Sequence, residues 1–134
     1  MQTVLVVEDD PMNWRVFQKI LTRRGGFAAR HTENVEEVLQ IASAREADII
    51  LMDIALTNSY YQGRAVDGIE ITQLLKAKPQ TASIPVILVT AYAHDYDREK
   101  YLAKSGADGF IAKPVIDHQN FVDQIRAKLL VPCR

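Results

Sequence analysis

Three short apolar runs constrain this chain more than any other feature. They read Val-Leu-Val-Val at residues 4–7, Asp-Ile-Ile-Leu-Met at 48–52 and Pro-Val-Ile-Leu-Val at 85–89. Each run is continuous rather than alternating, which is the pattern of a strand covered on both faces. Such strands belong to parallel sheets with helices above and below. Two weaker strand signals stand at residues 27–31 and 109–112.

Helical patterns fall between the strands. Asp10-Pro11 puts a capping residue before a proline suited to the first helical turn. Val16, Phe17, Ile20 and Leu21 form one apolar stripe, and Gly25-Gly26 closes it. Val35, Val38, Leu39 and Ala42 follow the spacing of an amphipathic helix. Ile69, Leu74 and Leu75 indicate a third helix that stops before Pro79. Residues 94–105 are helical by composition, but their stripe is thin: Tyr101, Leu102 and a few alanines. Phe121, Val122, Ile125 and Leu129 mark a last helix. This βα unit, repeated five times, predicts an α/β fold: a five-stranded parallel sheet, doubly wound, with right-handed crossovers. Residues 55–66 are long for a connection in such a fold, so we expect a functional or mobile loop there.

A chain of 134 residues can bury a core as one domain, here taken as 1–134, without staples. Sixteen basic residues against 17 acidic ones give no support for a nucleic-acid partner or a disordered acidic tail. The one cysteine, Cys133, excludes an internal disulfide and a cysteine zinc site. The N-terminus lacks a basic segment and its apolar run is too short for a signal peptide. No stretch approaches the roughly eighteen apolar residues of a membrane span. The expectation is a cytoplasmic protein with no membrane partner.

In open α/β sheets, ligands bind beyond the carboxyl ends of the strands, where strand order reverses. Glu8, Asp9 and Asp10 follow the first strand, Asp53 the third, Thr90 and Ala91 the fourth, and Lys113-Pro114 the fifth. Clustered carboxylates repel one another unless a cation sits among them, and magnesium, which takes hard oxygen ligands, is the natural choice. A carboxylate beside a metal can attack phosphorus and form an aspartyl phosphate. Lys113 would then supply positive charge to the phosphoryl oxygens, and Thr90 a hydroxyl. Alone, the acidic run reads as a solvated loop with Asp10 as a helix cap. The combination at four strand ends reads as a site.

These motifs resemble the receiver domain of response regulators, a flavodoxin-like family of the chemotaxis type. Residues 4–11 resemble its first strand and acidic pair, and Ile50-Leu51-Met52-Asp53 its phosphoacceptor strand. Val89-Thr90-Ala91 and the stretch from Gly106 through Phe110 to Lys113-Pro114 resemble its two later signatures. The resemblance implies a strand order of 2-1-3-4-5 and two-component signalling. It implies that Asp53 takes a phosphoryl group from a histidine kinase or phosphotransfer protein. It implies magnesium held by Asp9 and Asp53, by Glu8 through water, and by the backbone carbonyl of Ala55. Thr90 and Phe110 match its switch pair, Lys113 its lysine, and the Lys113-Pro114 peptide one that is cis. Output would pass to a downstream protein through the face made by the fourth helix, fifth strand and fifth helix, and that face also allows a homodimer formed on phosphorylation. The chain's end at Arg134 leads us to expect a stand-alone receiver that signals by touching other proteins.

Three departures stand out. Thr57 replaces a proline four residues after the phosphoacceptor. The Asp67-Gly68 pair falls later than in the family, giving an insertion at 54–66. Phe110 has no hydroxyl, unlike the tyrosine of some members. Ala55 and Tyr92, which would flank attacking water, offer no carboxylate or amide, so slow autodephosphorylation is expected. A haloacid-dehalogenase-type phosphohydrolase is the alternative from another class. It needs a second aspartate two residues after the nucleophile, where this chain has Ala55. A receiver-like module that takes no phosphate is a further alternative, opposed by the intact Asp9, Asp53, Thr90 and Lys113. Tyr60, Tyr61 and Arg64 suit either partner recognition or a surface excursion. Trp14 suits a partner contact or partial burial. His31, His94 and His118 show no ligand spacing, and Cys133 reads as an exposed thiol.

Overall fold

Each of the three apolar runs becomes a central strand. The computed structural model describes residues 2–91 and 95–129. The elements run β1 (Thr3–Val7), α1 (Pro11–Lys19), β2 (Ala28–Thr32), α2 (Val35–Ser43) and β3 (Ile49–Asp53), then the short strands β4 (Tyr60–Tyr61) and β5 (Arg64–Ala65). They continue with α3 (Gly68–Lys76), α4 (Pro79–Ala82), β6 (Val86–Thr90), α5 (Asp95–Ser105), β7 (Gly109–Ala112) and α6 (His118–Leu129). Five strands pair in parallel in the order β2-β1-β3-β6-β7. Counted within that sheet alone, this is the expected 2-1-3-4-5 order, with the reversal at the junction of β1 and β3.

Alternate side chains of each strand point to opposite faces. Leu5, Val7, Ile50, Met52, Val86 and Leu88 pack against Val38 and Ile41 of α2 and Ile71 and Leu75 of α3. On the other face Val4, Val6, Ile49, Leu51, Ile87 and Val89 pack against Phe17 of α1 and Phe121, Val122 and Ile125 of α6. All five residues of β3 and of β6 are buried, as continuous apolar runs require. Among the described residues no helix is long and apolar enough to cross a membrane.

Strand edges differ from the sequence expectation by one residue, for local reasons. Asp48 stays outside β3 because its carboxylate accepts the Thr3 N–H at 2.7 Å. Phe27 stays outside β2 because its N–H closes the preceding helix on the Leu21 carbonyl at 3.0 Å. That helix extends beyond α1 as one wide π-type turn over Ile20–Arg24, capped by Gly25. A Cβ at Gly25 would lie 2.6 Å from the Phe27 ring, so only glycine fits. The third helical segment splits at Pro79, which starts α4 rather than merely ending α3.

The region expected to be an irregular loop is a hairpin. Tyr60-Tyr61 pairs antiparallel with Arg64-Ala65. Gln62 and Gly63 make the turn with φ of 52° and 79°, the left-handed pair that a two-residue hairpin favours. Leu56 and Val66 are buried at its two ends. Ser59, also buried, donates its hydroxyl to the Glu33 carbonyl at 2.7 Å. Trp14 is half-buried and stacks on His31 with centroids 4.9 Å apart. His118 is exposed at the start of α6. His94, Tyr92 and Cys133 lie outside the described residues.

Candidate functional site

The acidic residues gather at the carboxyl ends of β1 and β3, where strand order reverses. Glu8 follows β1 and is fully buried. Its Oε1 accepts from Lys113 Nζ at 3.2 Å, while its Oε2 is buried with no hydrogen-bond partner. Asp53 ends β3, also buried; its Oδ2 lies 3.4 Å from Lys113 Nζ and its Oδ1 accepts the Ala55 N–H at 3.2 Å. One carboxylate oxygen each from Glu8, Asp9 and Asp53 falls within 4.8 Å of the others.

Local sequence explains this convergence. Asp10 caps α1 through the Met12 N–H at 2.8 Å, and Asp67 caps α3 through the Glu70 N–H at 2.9 Å, so both helices start at the rim. A Cβ at Gly68 would lie 2.0 Å from the Asp53 carbonyl oxygen; glycine there lets α3 press against the backbone of Asp53. Lys113 is held beside Thr90 by its N–H on the Thr90 carbonyl at 2.9 Å, and the Lys113-Pro114 peptide is cis.

Crowding leaves an electrostatic mark. The Glu8 carboxyl is pushed up from 4.5 to about 8, first by burial and then by contact with the Asp53 carboxylate and its charge; Lys113 and Asn13 pull it down. Three oxygen donors around a buried carboxylate oxygen that lacks a partner fit a hard divalent cation.

The structure thus gathers Glu8, Asp9, Asp53 and Lys113 in one cluster. Ala55 is exposed in the loop beyond Asp53, where a haloacid-dehalogenase-type enzyme would need its second carboxylate. Thr90 is buried at the end of β6. Phe110 is buried on β7 beside Leu88 of β6, and its ring stacks on Tyr101 of α5 with centroids 6.3 Å apart. Sequence reasoning missed two residues. Asn13, in the first turn of α1, helps pull the Glu8 carboxyl back down. Thr57, read only as a departure, bonds Asp9. Its signal was a donor-bearing residue where the family has proline.

Comparison with known proteins shows what the chain resembles. The family described as the response regulator receiver domain matches residues 4–126. The polar-differentiation response regulator DivK of Brucella anthropi is 34% identical over 128 residues, covering 96% of each chain. The receiver domain of a sensor histidine kinase from Pseudomonas aeruginosa, solved with magnesium coordinated in its active-site cleft, is 27% identical with a TM-score of 0.78, over 96% of this chain and 97% of that one. A putative response regulator from Chloroflexus aurantiacus shares the fold, with a TM-score of 0.80 at 24% identity over 96% and 97% of the two chains. With the family match running over nearly the whole chain and a relative 34% identical over 128 residues, the chain belongs to the response-regulator receiver family of two-component signalling.

Proposed function

We propose that Asp53 accepts a phosphoryl group from a phosphorylated histidine on a kinase or phosphotransfer protein, and that the chain signals through protein contacts that depend on it. The observation that carries this reading is the position of Lys113 Nζ, 3.2 Å from Glu8 Oε1 and 3.4 Å from Asp53 Oδ2, inside a cluster of carboxylates. In the transfer an Asp53 carboxylate oxygen attacks phosphorus. The P–O bond forms as the P–N bond to the donor imidazole breaks, and the imidazole leaves with the bonding pair. Lys113 stays charged against the phosphoryl oxygens, and the Thr90 hydroxyl donates to one of them. Asp9, Asp53, the Ala55 carbonyl and, through water, Glu8 would hold magnesium, which when bound supplies positive charge against the crowded oxygens.

Residues 1–134 act in this reading as a single receiver domain, with 54–66 as an insertion, in the cytoplasm. The chain is a phosphoacceptor rather than a turnover catalyst. Ala55 and Tyr92, two residues after Asp53 and Thr90 in the sequence, offer no carboxylate or amide to orient water, so the phosphoryl group is long-lived; a half-life of seconds would contradict that. Thr90 and Phe110 pass the change to the face of α5, β7 and α6. A groove of about 340 Å³ on that face, lined by Arg98, Phe110, Ile116 and Gln124 among others, and the 89% exposure of Ile116 support its use by a protein target or a second copy of the chain.

The test is labelling by acetyl phosphate or a phosphorylated kinase in magnesium, read by mass spectrometry. Wild type should gain one phosphoryl group on the peptide containing Asp53, and Asp53→Asn none. Undiminished labelling of the variant overturns the assignment.

A further inference from the structure

Thr57 stands where the family pattern has proline, and it makes two bonds that proline cannot. Its backbone N–H donates to Asp9 Oδ2 at 3.0 Å, and its hydroxyl donates to the same oxygen at 2.7 Å. Proline has neither donor. A carboxylate gripped through one oxygen presents the other in a fixed direction. The grip is itself backed by the insertion. Leu56 is buried on one side of Thr57, and the buried Ser59 on the other ties to Glu33 at 2.7 Å. The Val66 N–H returns to the Ser59 carbonyl at 3.0 Å and closes the hairpin beneath it.

We propose that Thr57 is a positioning residue for Asp9, so that the inserted segment 54–66 is part of the cation site and sharpens its preference for magnesium over calcium. The inference rests on reading the pocket as a magnesium site. Magnesium demands near-ideal octahedral geometry, whereas calcium accepts irregular and longer contacts. A carboxylate free to turn therefore loses more affinity for magnesium than for calcium. Partners that orient a ligating group are typically worth 10–100-fold in metal affinity. The exposure of Thr57 to solvent puts this pair at the lower end.

The experiment is an NMR titration of the full chain with magnesium chloride and, separately, calcium chloride, following the amides around Asp9 and Asp53. Thr57→Val keeps the N–H and the shape but loses the hydroxyl; Thr57→Ser keeps both donors. The same spectra report that each variant is folded. Thr57→Val should bind magnesium about tenfold more weakly, with a smaller loss for calcium, and Thr57→Ser should stay within about twofold of wild type. A Val variant that binds magnesium like wild type, or a Ser variant that loses as much as Val, overturns the grip. A wild type whose spectrum does not respond to magnesium overturns instead the reading of the pocket on which the grip rests.

Discussion

Two helices on the same face of the sheet, α2 and α5, are held very differently. The nine residues of α2 bury Val35, Val38, Ile41 and Ala42. The eleven residues of α5 bury, among those whose side chains are described, only Ser105, with Tyr101 and Leu102 half-buried. The acidic pocket is built on β1 and β3, which α1, α2, α3 and α6 clamp from both sides. Phe110 stacks instead on Tyr101 of α5, whose described side chains commit little apolar surface to the core. On the proposed reading, a phosphoryl group would shift α5 at small cost and leave the geometry that accepts it intact.

Truncation of the core tests the anchored side with the largest effect. Ile41→Ala on α2, where the side chain is 4% exposed, should cost about 3 kcal/mol in urea unfolding. A loss under about 1 kcal/mol would mean that α2 is held no better than α5.

The pocket should show its own instability in the pH dependence. Between 4.5 and about 8 the folded chain keeps a proton on Glu8 that the unfolded chain has lost. Metal-free stability should therefore fall as pH rises through that window and level off above about 8, by up to a few kcal/mol. Saturating magnesium replaces the proton and should flatten the slope. Thermal unfolding across this range, with and without magnesium, checks both signs.

Removing one of the crowded charges should act the same way on a smaller scale. Above about pH 8, where Glu8 has lost its proton, Asp53→Asn relieves repulsion with Glu8 and should stabilise the metal-free protein by about 1 kcal/mol, while it removes phosphoryl acceptance. A destabilised variant would mean that the contact with Lys113 outweighs the repulsion.

The smallest effect belongs to α5. Leu102→Ala should cost about 1 kcal/mol or less in the same urea assay. A loss matching that of Ile41→Ala would remove the contrast between the two helices.

The sequence carried most of this fold because buried parallel strands and capped helices leave local marks. The runs at 4–7, 48–52 and 85–89 needed no tertiary context to be read. Glu8, Asp9, Asp53, Thr90 and Lys113 were legible because strand ends in an open sheet converge by topology. The hairpin at Tyr60–Tyr61 and Arg64–Ala65 was not, since two-residue strands are too short for a periodic pattern, although Gln62-Gly63 could have marked its turn. The π-type turn at Ile20–Arg24 was invisible because it keeps the same buried stripe as an α-helix. The bond from Thr57 to Asp9 spans 48 residues and depends on how the insertion is anchored, which no local pattern records.

Hydrogen–deuterium exchange of the phosphorylated and unphosphorylated chain, in the same magnesium buffer, tests the central contrast most directly. The account predicts that phosphorylation changes exchange in α5 and β7 and leaves α2 and β2 as they were. Equal change in α2, or no change in α5, would contradict it.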